Sequence, residues 1–417
     1  MGQMRYIIIG AGAVGGTIGG CLFQGGHDVV LVARGAHLGA LRARGLRLAT
    51  PSGTYQLDIP VVGGPAELRL QSDDVLILAT KTQDAAALLA EWAWQPVPGA
   101  PASAGSAAAD STSPGSASAG SASAGSASAG AGAVAAGVLP VVCAQNGVAS
   151  ERFALRRFRH VYGMCVWLPA THLEPGTVEA QGTPLAGLLY LGRYPVGTDS
   201  TIERIAGDLA KSRFLAPVSE DVMRWKYAKL LDNLGNAIEA LCGRGAAGFG
   251  AARAPGAPSS GAPTTETRPT GTPADATPAA GAQAASDAAE LRRRTRAEGI
   301  AVLAAAGLAH ADREELAAIR GDRVRIEAVN GAARPGGSSW QSLTRGTGTI
   351  EADFLNGEIA LLGREHGVPA PVNEALQRLA NQAARERRAP GFMTPAQVLA
   401  AAGVTSSAAS RTTSGAK

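Results

Sequence analysis

The stretch Tyr6-Ile7-Ile8-Ile9-Gly10-Ala11-Gly12-Ala13-Val14-Gly15 joins an apolar run to a glycine-rich turn. An apolar strand, a Gly-x-Gly-x-x-Gly turn and a following helix open the βαβ unit that binds dinucleotides. A second apolar strand, at residues 28–32, closes the unit at a normal length. The sequence therefore predicts that residues 10–15 bind a pyrophosphate, with the positive end of the first helix facing it.

The residue that follows the second strand indicates which dinucleotide binds. NAD sites usually place an acidic residue there to bond the ribose 2′-hydroxyl, whereas an arginine accommodates a 2′-phosphate. The strand here runs into Ala33-Arg34, with no acidic residue beside it. Because guanidinium pairs with phosphate through a fork of charge-assisted bonds, Arg34 favours NADP(H). The alternative is an arginine that is merely solvated at a strand end.

Bulk composition argues against several classes of protein. The net charge of the 417 residues is +4, without a basic block, and aromatic residues make up 4%, so nucleic-acid binding has little support. Residues 6–23 carry no charge but include six glycines and lead into a strand. We therefore reject an export signal or membrane span there and expect a cytoplasmic protein.

The cysteines indicate a reducing compartment. Cys21, Cys143, Cys165 and Cys242 show no paired short spacing. Buried free thiols explain them better than disulfides or a zinc site, so we expect no metal.

Two low-complexity stretches interrupt the pattern of a folded protein. Residues 96–136 are rich in Ala, Ser and Gly, and residues 251–286 in Pro, Thr, Ala and Gly. Neither stretch can bury enough apolar surface to offset the entropy lost on ordering, so we predict two disordered inserts. The tail, residues 405–417, is interpreted in the same way.

The remaining sequence predicts two domains. Strand signals at residues 75–79 and 138–144 flank a helix at 84–94, and further strands follow near 160–168 and 188–191. Helical spacing takes over at residues 222–241, 288–305 and 349–365. We expect an α/β Rossmann-type dinucleotide-binding domain at residues 1–218 and an all-α C-terminal domain at 219–404.

Polar side chains follow two predicted strands of the parallel sheet. Lys81 lies past one strand and Asn146, in Gln145-Asn146-Gly147, lies past the next. Strand carboxyl ends face the ligand crevice in such sheets, so both side chains are candidates to contact cofactor or substrate. The alternative is that each is a loop residue facing water.

The helix predicted at residues 222–241 carries a second candidate group. At about 100° per residue, Lys229, Asn233 and Asn236 share one stripe. Such stripes usually face solvent, but asparagine is a poor helix former and two beside a lysine need a reason. A lysine placed there could deliver a proton to a carbonyl oxygen.

A third group lies in Ser338-Ser339 and in Glu351-Ala352-Asp353-Phe354-Leu355-Asn356-Gly357. The serines could cap a helix, and acidic residues at a helix start could compensate its dipole. For Asp353 the dipole alone could suffice. The residues by themselves do not choose between these roles and binding.

Together these segments resemble the ketopantoate reductase (2-dehydropantoate 2-reductase) family. The glycine motif, Lys81, Gln145-Asn146-Gly147, the Lys229/Asn233 helix, Ser338-Ser339 and the Glu351 segment stand in family order. The resemblance covers nearly the whole chain outside the inserts and tail. It implies NADPH-dependent reduction of ketopantoate to pantoate, on the route to pantothenate and coenzyme A.

The resemblance also implies roles for residues. Lys229 matches the general acid, and Glu351 matches the acid that binds the substrate hydroxyl and positions the lysine. Ser339, Asn233 and its neighbour Asn236 are assigned to the substrate. Cofactor contacts are expected from Gly10, Ala11, Gly12, Ala13, Val14, Gly15, Arg34, Lys81, Asn146 and Glu351. Asn146 is assigned to the substrate as well.

Two departures from the family pattern leave the substrate undecided. Ala237 stands where a second asparagine is common, and Ile350 where threonine is common. One alternative is a paralogous reductase of another 2-keto acid. A second is a protein that binds NADP(H) without catalysis. A homodimer remains an alternative to a monomer, since the sequence is silent on self-association.

Overall fold

The computed structural model describes residues 2–100, 133–247 and 278–404. The low-complexity prediction falls largely on residues 101–132, 248–277 and 405–417, which lie outside the described residues. The chain divides into two compact units. The first comprises Met1–Gln145, Ala149–Val222 and Asp322–Asn330, and the second Asn146–Val148, Met223–Gly321 and Gly331–Lys417.

The described strands all fall in the first unit. They are β1 (Arg5–Ile9), β2 (Asp28–Val32), β3 (Leu46–Thr50), β4 (Gly53–Leu57), β5 (Val61–Val62), β6 (Asp74–Leu78), β7 (Pro140–Cys143), β8 (His160–Trp167), β9 (Ala170–Thr171), β10 (Thr177–Ala180), β11 (Gly182–Pro184), β12 (Gly187–Arg193), β13 (Phe214–Leu215) and β14 (Val324–Ile326).

The α-helices divide between the units. The first unit has α1 (Ala13–Gln24), α2 (Gly35–Arg44), α3 (Thr82–Ala93), α4 (Ala135–Val138), α5 (Ser150–Leu155) and α6 (Ser200–Lys211). The second has α7 (Val222–Asn233), α8 (Gly235–Cys242), α9 (Arg244–Ala247), α10 (Pro278–Ala305), α11 (Arg313–Arg320), α12 (Ser338–Thr344), α13 (Asn356–His366), α14 (Pro371–Arg385) and α15 (Pro395–Ala401). Short 3-10 turns span Pro65–Glu67 and Glu351–Phe354.

The main sheet confirms the predicted Rossmann-type fold. Its strand order is β13-β12-β8-β7-β6-β1-β2-β5. Neighbours run parallel except β8 and β12, which pair antiparallel. The chain leaves β1 toward β2 and β5, and then returns to build β6, β7 and β8 on the other side. The turn after β1 therefore lies at the topological switch point, where open α/β sheets bind ligands.

Side chains of β1 alternate between two apolar clusters, as the two-residue period of a strand requires. Tyr6 and Ile8 join a cluster that includes residues of α1 and α6. Ile7 and Ile9 join the other, which includes residues of α3 and α5. Both faces of the sheet are thus covered, and this explains why β1 is an unbroken apolar run.

Two smaller sheets complete the first unit, and the sequence did not predict either. One has the order β4-β3-β10-β9, and the other pairs β11 with β14. Strand β14 comes from residues assigned to the all-helical half, yet Gly182 and Ile326 are ladder partners. Residues 322–330 therefore belong with the first unit, a departure from the all-helical interpretation of residues 219–404.

The ends of both predicted inserts are ordered, so their predicted limits were too wide. Val97 donates to Ala133 O at 2.8 Å, and Pro96 forms a bridge with Val134. Val97 and Ala135 are buried, which anchors these ends in the core. At the second insert, α10 begins at Pro278, within the stretch predicted to be disordered and ten residues before the predicted helix at 288.

Two predicted helices are each interrupted. The helix predicted at residues 222–241 is divided at Leu234 into α7 and α8, although Leu234 N still donates to Leu230 O at 3.0 Å. The helix predicted at 349–365 begins as the 3-10 turn Glu351–Phe354, and Leu355 (φ −117°, ψ −90°) separates it from α13. The left-handed Gly367 caps α13, at the predicted end.

None of the four cysteines, all of which lie within the described residues, forms a disulfide. Cys21, Cys143 and Cys165 are buried, and Cys242 is half-buried. Burial raises the pKa of the Cys21 thiol to about 11, which keeps it protonated near neutral pH. Within the described ranges, no helix is both long and apolar enough to cross a membrane.

Candidate active site

The glycine turn has the geometry that a dinucleotide pyrophosphate needs. Gly10 has φ +103°, and a Cβ there would lie 2.9 Å from Thr80 N. A Cβ on Gly15 would overlap the Gly10 carbonyl oxygen and lie 2.9 Å from the Cβ of Ala79. By contrast, a Cβ on Gly12 meets nothing within 4 Å. The first and third glycines serve the turn and its packing, and the second faces free space.

Hydrogen bonds fix the turn against the second strand. The N–H groups of Gly10 and Ala11 both donate to Val32 O at 3.1 Å. Helix α1 then begins at Ala13 with Gly12 as N-cap, without a side-chain cap among the described residues and without an acidic residue in its first turn. The amides at the start of α1, around Ala13 and Val14, are therefore the donors that face an approaching phosphate.

His37 supports the same turn, although no motif in the sequence indicates this role. Its Nε2 lies 2.8 Å from Ala11 O, and its Nδ1 accepts from Gly176 N at 2.9 Å. Because a peptide N–H can only donate, Nδ1 is unprotonated and Nε2–H donates to Ala11. Burial lowers the pKa of His37, and the hydrogen bond to Ala11 opposes that shift. A neutral imidazole thus joins the glycine turn to the loop before β10.

Arg34 lies at the N-cap of α2, directly after β2, with its side chain 67% exposed. Its Nη2 is 3.8 Å from Asp84 Oδ2 in the first turn of α3. No acidic residue stands beside Arg34 in the sequence, and the fold supplies Asp84 from another segment. The arginine is accessible to a 2′-phosphate, and the carboxylate near it is a group that a ribose hydroxyl could use.

Gln145 fixes the loop after β6, which leads to Lys81. Gln145 Nε2 donates to Leu78 O at 2.9 Å and to Thr80 O at 3.3 Å, so it joins the ends of β7 and β6. Lys81 follows as the extended N-cap residue of α3 and is half-buried. Thr80 Oγ1 is shielded from solvent without a hydrogen-bond partner among the described residues. A polar ligand group at the turn would satisfy this hydroxyl.

Asn146 belongs with the helical unit, although it follows a strand of the sheet. Residues Asn146–Val148 cluster with that unit. Val148 is buried against Leu230, Leu231 and Leu234, so this short segment packs on the helix α7. The structure therefore brings Asn146 to the element that carries Lys229 and Asn233, a grouping that the sequence order did not reveal.

Helix α7 places Lys229 and Asn233 one turn apart on the same face. Residues four apart on a helix are surface neighbours, with Cβ atoms about 5–6 Å apart. Lys229 is half-buried, whereas Asn233 is 5% exposed. Asn233 Nδ2 is shielded and lacks a hydrogen-bond partner among the described residues. A buried amide donor without a partner is unusual in native structures, which makes Asn233 a candidate to bind a polar ligand.

Asn236 and the serine pair meet on α8 and α12. Asn236 Nδ2 donates to Ser338 Oγ at 3.3 Å, and Ser339 is buried in the first turn of α12. No side-chain cap is formed at the start of α12 within the described residues, so the alternative that these serines cap their helix has no support.

Glu351 is buried in the 3-10 turn before α13 and is 5% exposed. Its charge acts on Arg345, which lies at the end of α12. Burial lowers the pKa of Arg345, and the carboxylate of Glu351 opposes that change. A buried carboxylate needs a compensating partner, and the guanidinium of Arg345 supplies positive charge near it.

The other polar residues of this segment have structural roles. Asp353 accepts from Gln377 at 2.8 Å and from Asn381 at 2.7 Å, so it ties the turn to α14. Asn356 Nδ2 donates to Leu234 O at 3.2 Å, at the break between α7 and α8. Asp353 thus has a structural role in addition to any compensation of the helix dipole.

The fold and the glycine turn define a Rossmann-type dinucleotide-binding protein with a helical second unit. The chain belongs to the ketopantoate reductase family. Residues 6–99 match the family described as ketopantoate reductase PanE/ApbA, and residues 269–384 match the C-terminal family of the same description.

The individual similarities are more distant. A 2-dehydropantoate 2-reductase from Pyrococcus horikoshii is 26% identical over 236 residues, which are 55% of this chain and 61% of that relative. The match thus spans less than two thirds of the relative's length.

Solved structures share the fold. A PanE/ApbA family ketopantoate reductase from Ralstonia eutropha superposes with a TM-score of 0.62 at 24% identity, over 92% of this chain and 99% of that one. A D-mandelate dehydrogenase determined with NADH and anilino(oxo)acetate gives 0.63 at 18% identity, with the same coverage.

Proposed function

We propose that this protein reduces 2-dehydropantoate (ketopantoate) to pantoate with NADPH, on the route to pantothenate and coenzyme A. The observation that carries the proposal is the unpaired Nδ2 of Asn233, one helical turn from Lys229. An unsatisfied buried donor costs about 1–3 kcal/mol, which an oxygen of a 2-keto acid would recover on binding. Family membership supplies the class of reaction.

The residues of the glycine turn fit a nicotinamide dinucleotide. Gly12 leaves space for the pyrophosphate, and the start of α1 offers amide donors to it. The shielded Thr80 hydroxyl could form a hydrogen bond with a polar group of the cofactor. Lys81, Asn146 and Glu351 are proposed to contact the cofactor as well. When bound, the dinucleotide supplies the hydride.

In this proposal Lys229 is the general acid. Reduction of a carbonyl places negative charge on its oxygen, and an ammonium within reach stabilises that charge and donates the proton. Glu351 binds the substrate hydroxyl and orients the lysine. Asn233, Asn236, Ser339 and Asn146 bind the substrate, because each supplies an amide or hydroxyl to a polar ligand.

The preference for NADPH rests on Arg34, whose exposed guanidinium can pair with a 2′-phosphate. The nearby Asp84 is a reason to test NADH as well, since its carboxylate could accept a ribose hydroxyl. The dehydrogenase with similar structure was determined with NADH.

A paralogous reductase of another 2-keto acid is the second candidate. Ala237 and Ile350 replace polar residues that are common in the family, and both are buried. A bulkier or less polar 2-keto acid would suit such changes. The likeness to a D-mandelate dehydrogenase supports the same alternative.

A steady-state assay tests both candidates. We expect NADPH absorbance to fall on addition of ketopantoate, faster than with a panel of other 2-keto acids. A higher kcat/KM for another member of the panel would favour the paralogue. Calorimetry that shows tight NADPH binding, with no turnover on any 2-keto acid, would favour a non-catalytic sensor of NADP(H).

We further propose that the enzyme acts in the cytoplasm, where cysteines without disulfides, such as the four described here, are usual. We also propose that the protein forms a homodimer, and light scattering of the purified protein tests this.

A further inference from the structure

A charged cluster lies beside the serine pair in the helical unit. Glu239 is buried on α8, one turn after Asn236. Its Oε2 accepts from Gly337 N at 2.9 Å, directly before Ser338. Asn236 also donates to Ser338 Oγ, so α8 contacts the start of α12 at two adjacent points. We call Asn236, Glu239, Arg334, Gly337 and Ser338 the Arg334 cluster.

Arg334 is the member of the cluster whose side chain has a shielded donor without a hydrogen bond to the described part of the chain. Its Nε is shielded from solvent and has no hydrogen-bond partner among the described residues. Glu239 and Arg244 are its charged neighbours, but no ion pair within 4 Å joins Arg334 to Glu239. Burial lowers the pKa of Arg334, while the carboxylate of Glu239 opposes that change and Arg244 adds to it.

A shielded Nε without a partner in the described ranges, on a half-buried arginine, points to a ligand at this guanidinium. Buried polar groups are almost always hydrogen-bonded, and guanidinium offers five donors in a planar fork. That fork matches the two oxygens of a carboxylate. The missing partner is therefore an anion with planar, bidentate geometry.

The charges of the cluster and of its neighbour Arg244 restrict the anion further. Glu239 contributes one negative charge, and Arg334 and the half-exposed Arg244 contribute two positive charges. One net positive charge suits a carboxylate better than a phosphate dianion. Glu239 also fixes the Gly337 amide, so its carboxylate has a positioning role and remains a neighbour of the ligand rather than its partner.

We propose that Arg334 binds the carboxylate of the 2-keto acid substrate, while Glu239 positions the segment that leads to Ser338 and Ser339. This inference rests on the proposed function and assigns a residue that the family resemblance did not. It makes Arg334 a specificity determinant that selects acids over neutral carbonyl compounds.

The kinetic test compares Arg334→Gln and Arg334→Lys with the unchanged protein. A hydrogen bond to a charged group corresponds to roughly 10- to 150-fold in affinity. We expect KM for ketopantoate to rise by that factor with kcat little changed, because the carboxylate is bound equally in ground and transition states. Lysine should restore part of the loss, since it keeps the charge without the fork.

Two controls separate this role from a structural one. Ketopantoyl lactone lacks the carboxylate, so its KM should not change in Arg334→Gln. Arg364→Gln removes an exposed arginine of the same unit that pairs with Glu374 at 3.0 Å, and it should leave both KM values unchanged. Thermal unfolding and the Kd for NADPH check that each variant is folded.

A binding measurement keeps the inference testable without turnover. Oxamate, a non-reducible analogue with a carboxylate, is titrated by calorimetry in the presence of NADPH. We expect Arg334→Gln to lose at least tenfold in oxamate affinity. Unchanged oxamate affinity and KM would overturn the role of Arg334 while leaving a reductase intact. Displacement of oxamate by inorganic phosphate at lower concentration would assign Arg334 to a phosphate ligand instead.

Discussion

Alanine at Gly12 and at Gly15 should separate cofactor binding from folding. A Cβ on Gly15 would overlap the Gly10 carbonyl and stand 2.9 Å from both Ala79 Cβ and Ile8 Cγ2. Carbon atoms normally approach to about 3.5–4.0 Å, so the helix must move away from β1. Overpacking of this kind costs about 1–3 kcal/mol, and the contact with backbone places Gly15→Ala at the upper end.

For Gly12→Ala we expect the opposite result, with stability kept and cofactor binding weakened. A Cβ there meets nothing within 4 Å, so the folded state accommodates it. Loss of a glycine N-cap changes stability by less than about 1 kcal/mol. The new methyl group nevertheless occupies the space through which the pyrophosphate approaches the backbone. We therefore expect NADPH affinity to fall at least tenfold with stability almost unchanged.

Thermal unfolding and NADPH titration measure the two effects. A loss of 2–3 kcal/mol corresponds to a fall in Tm of roughly 4–12 °C for a unit of this size. Gly39→Ala is the matched control, since Gly39 lies within α2 with nothing within 4 Å of its Cβ, and alanine should raise stability by about 0.5–1 kcal/mol. An unchanged Tm in Gly15→Ala, or full NADPH affinity in Gly12→Ala, would refute the reasoning.

Three further predictions concern chemistry and pH. Lys229→Ala should lower kcat for ketopantoate by at least ~100-fold, the low end for a positioned general acid, and full activity would remove Lys229 from the mechanism. Arg34→Ala should abolish the preference for NADPH over NADH in competition assays, whereas equal use of both cofactors by the unchanged protein would exclude that role. The pKa of His37 is lowered by burial from its ordinary value of about 6.5, so the unfolded chain binds a proton first as pH falls. Stability should therefore decrease below pH ~6.5 and level off below the folded-state pKa, with a smaller decrease in His37→Gln in denaturant titrations; equal slopes would contradict this account.

The sequence predicted the elements whose pattern is local. The run before Gly10 and the spacing of the glycines gave the first βαβ unit, because each residue acts within a few positions of its neighbours. The smaller sheets were missed because their strands are short and pair across long separations. Strand β14 contacts β11 more than a hundred residues earlier, and no period in the sequence signals that pairing.

The sequence indicated which residues form the candidate site, but it did not indicate which contacts they make. Lys229 and Asn233 share a face because both lie on one helix. The burial of Asn233 and the packing of Val148 on α7 depend on tertiary structure, which a helical projection does not contain. Asp84 approaches Arg34 for the same reason, since each follows a different strand of the same parallel sheet.

Asn356, in the Glu351 segment, takes part in a buried hydrogen-bond network that lies next to the candidate site. Asn356 is fully buried, and its amide donates to Leu234 O and to Asn373 Oδ1 at 3.0 Å. Asn373 in turn donates to Thr295 O and to Glu298 Oε2, both on α10. An aliphatic residue at Asn356 would leave the Leu234 carbonyl without this donor at the break that separates Asn233 from Asn236. This buried hydrogen-bond network therefore stabilises the break between α7 and α8, which lies between the two amides that we assign to the substrate.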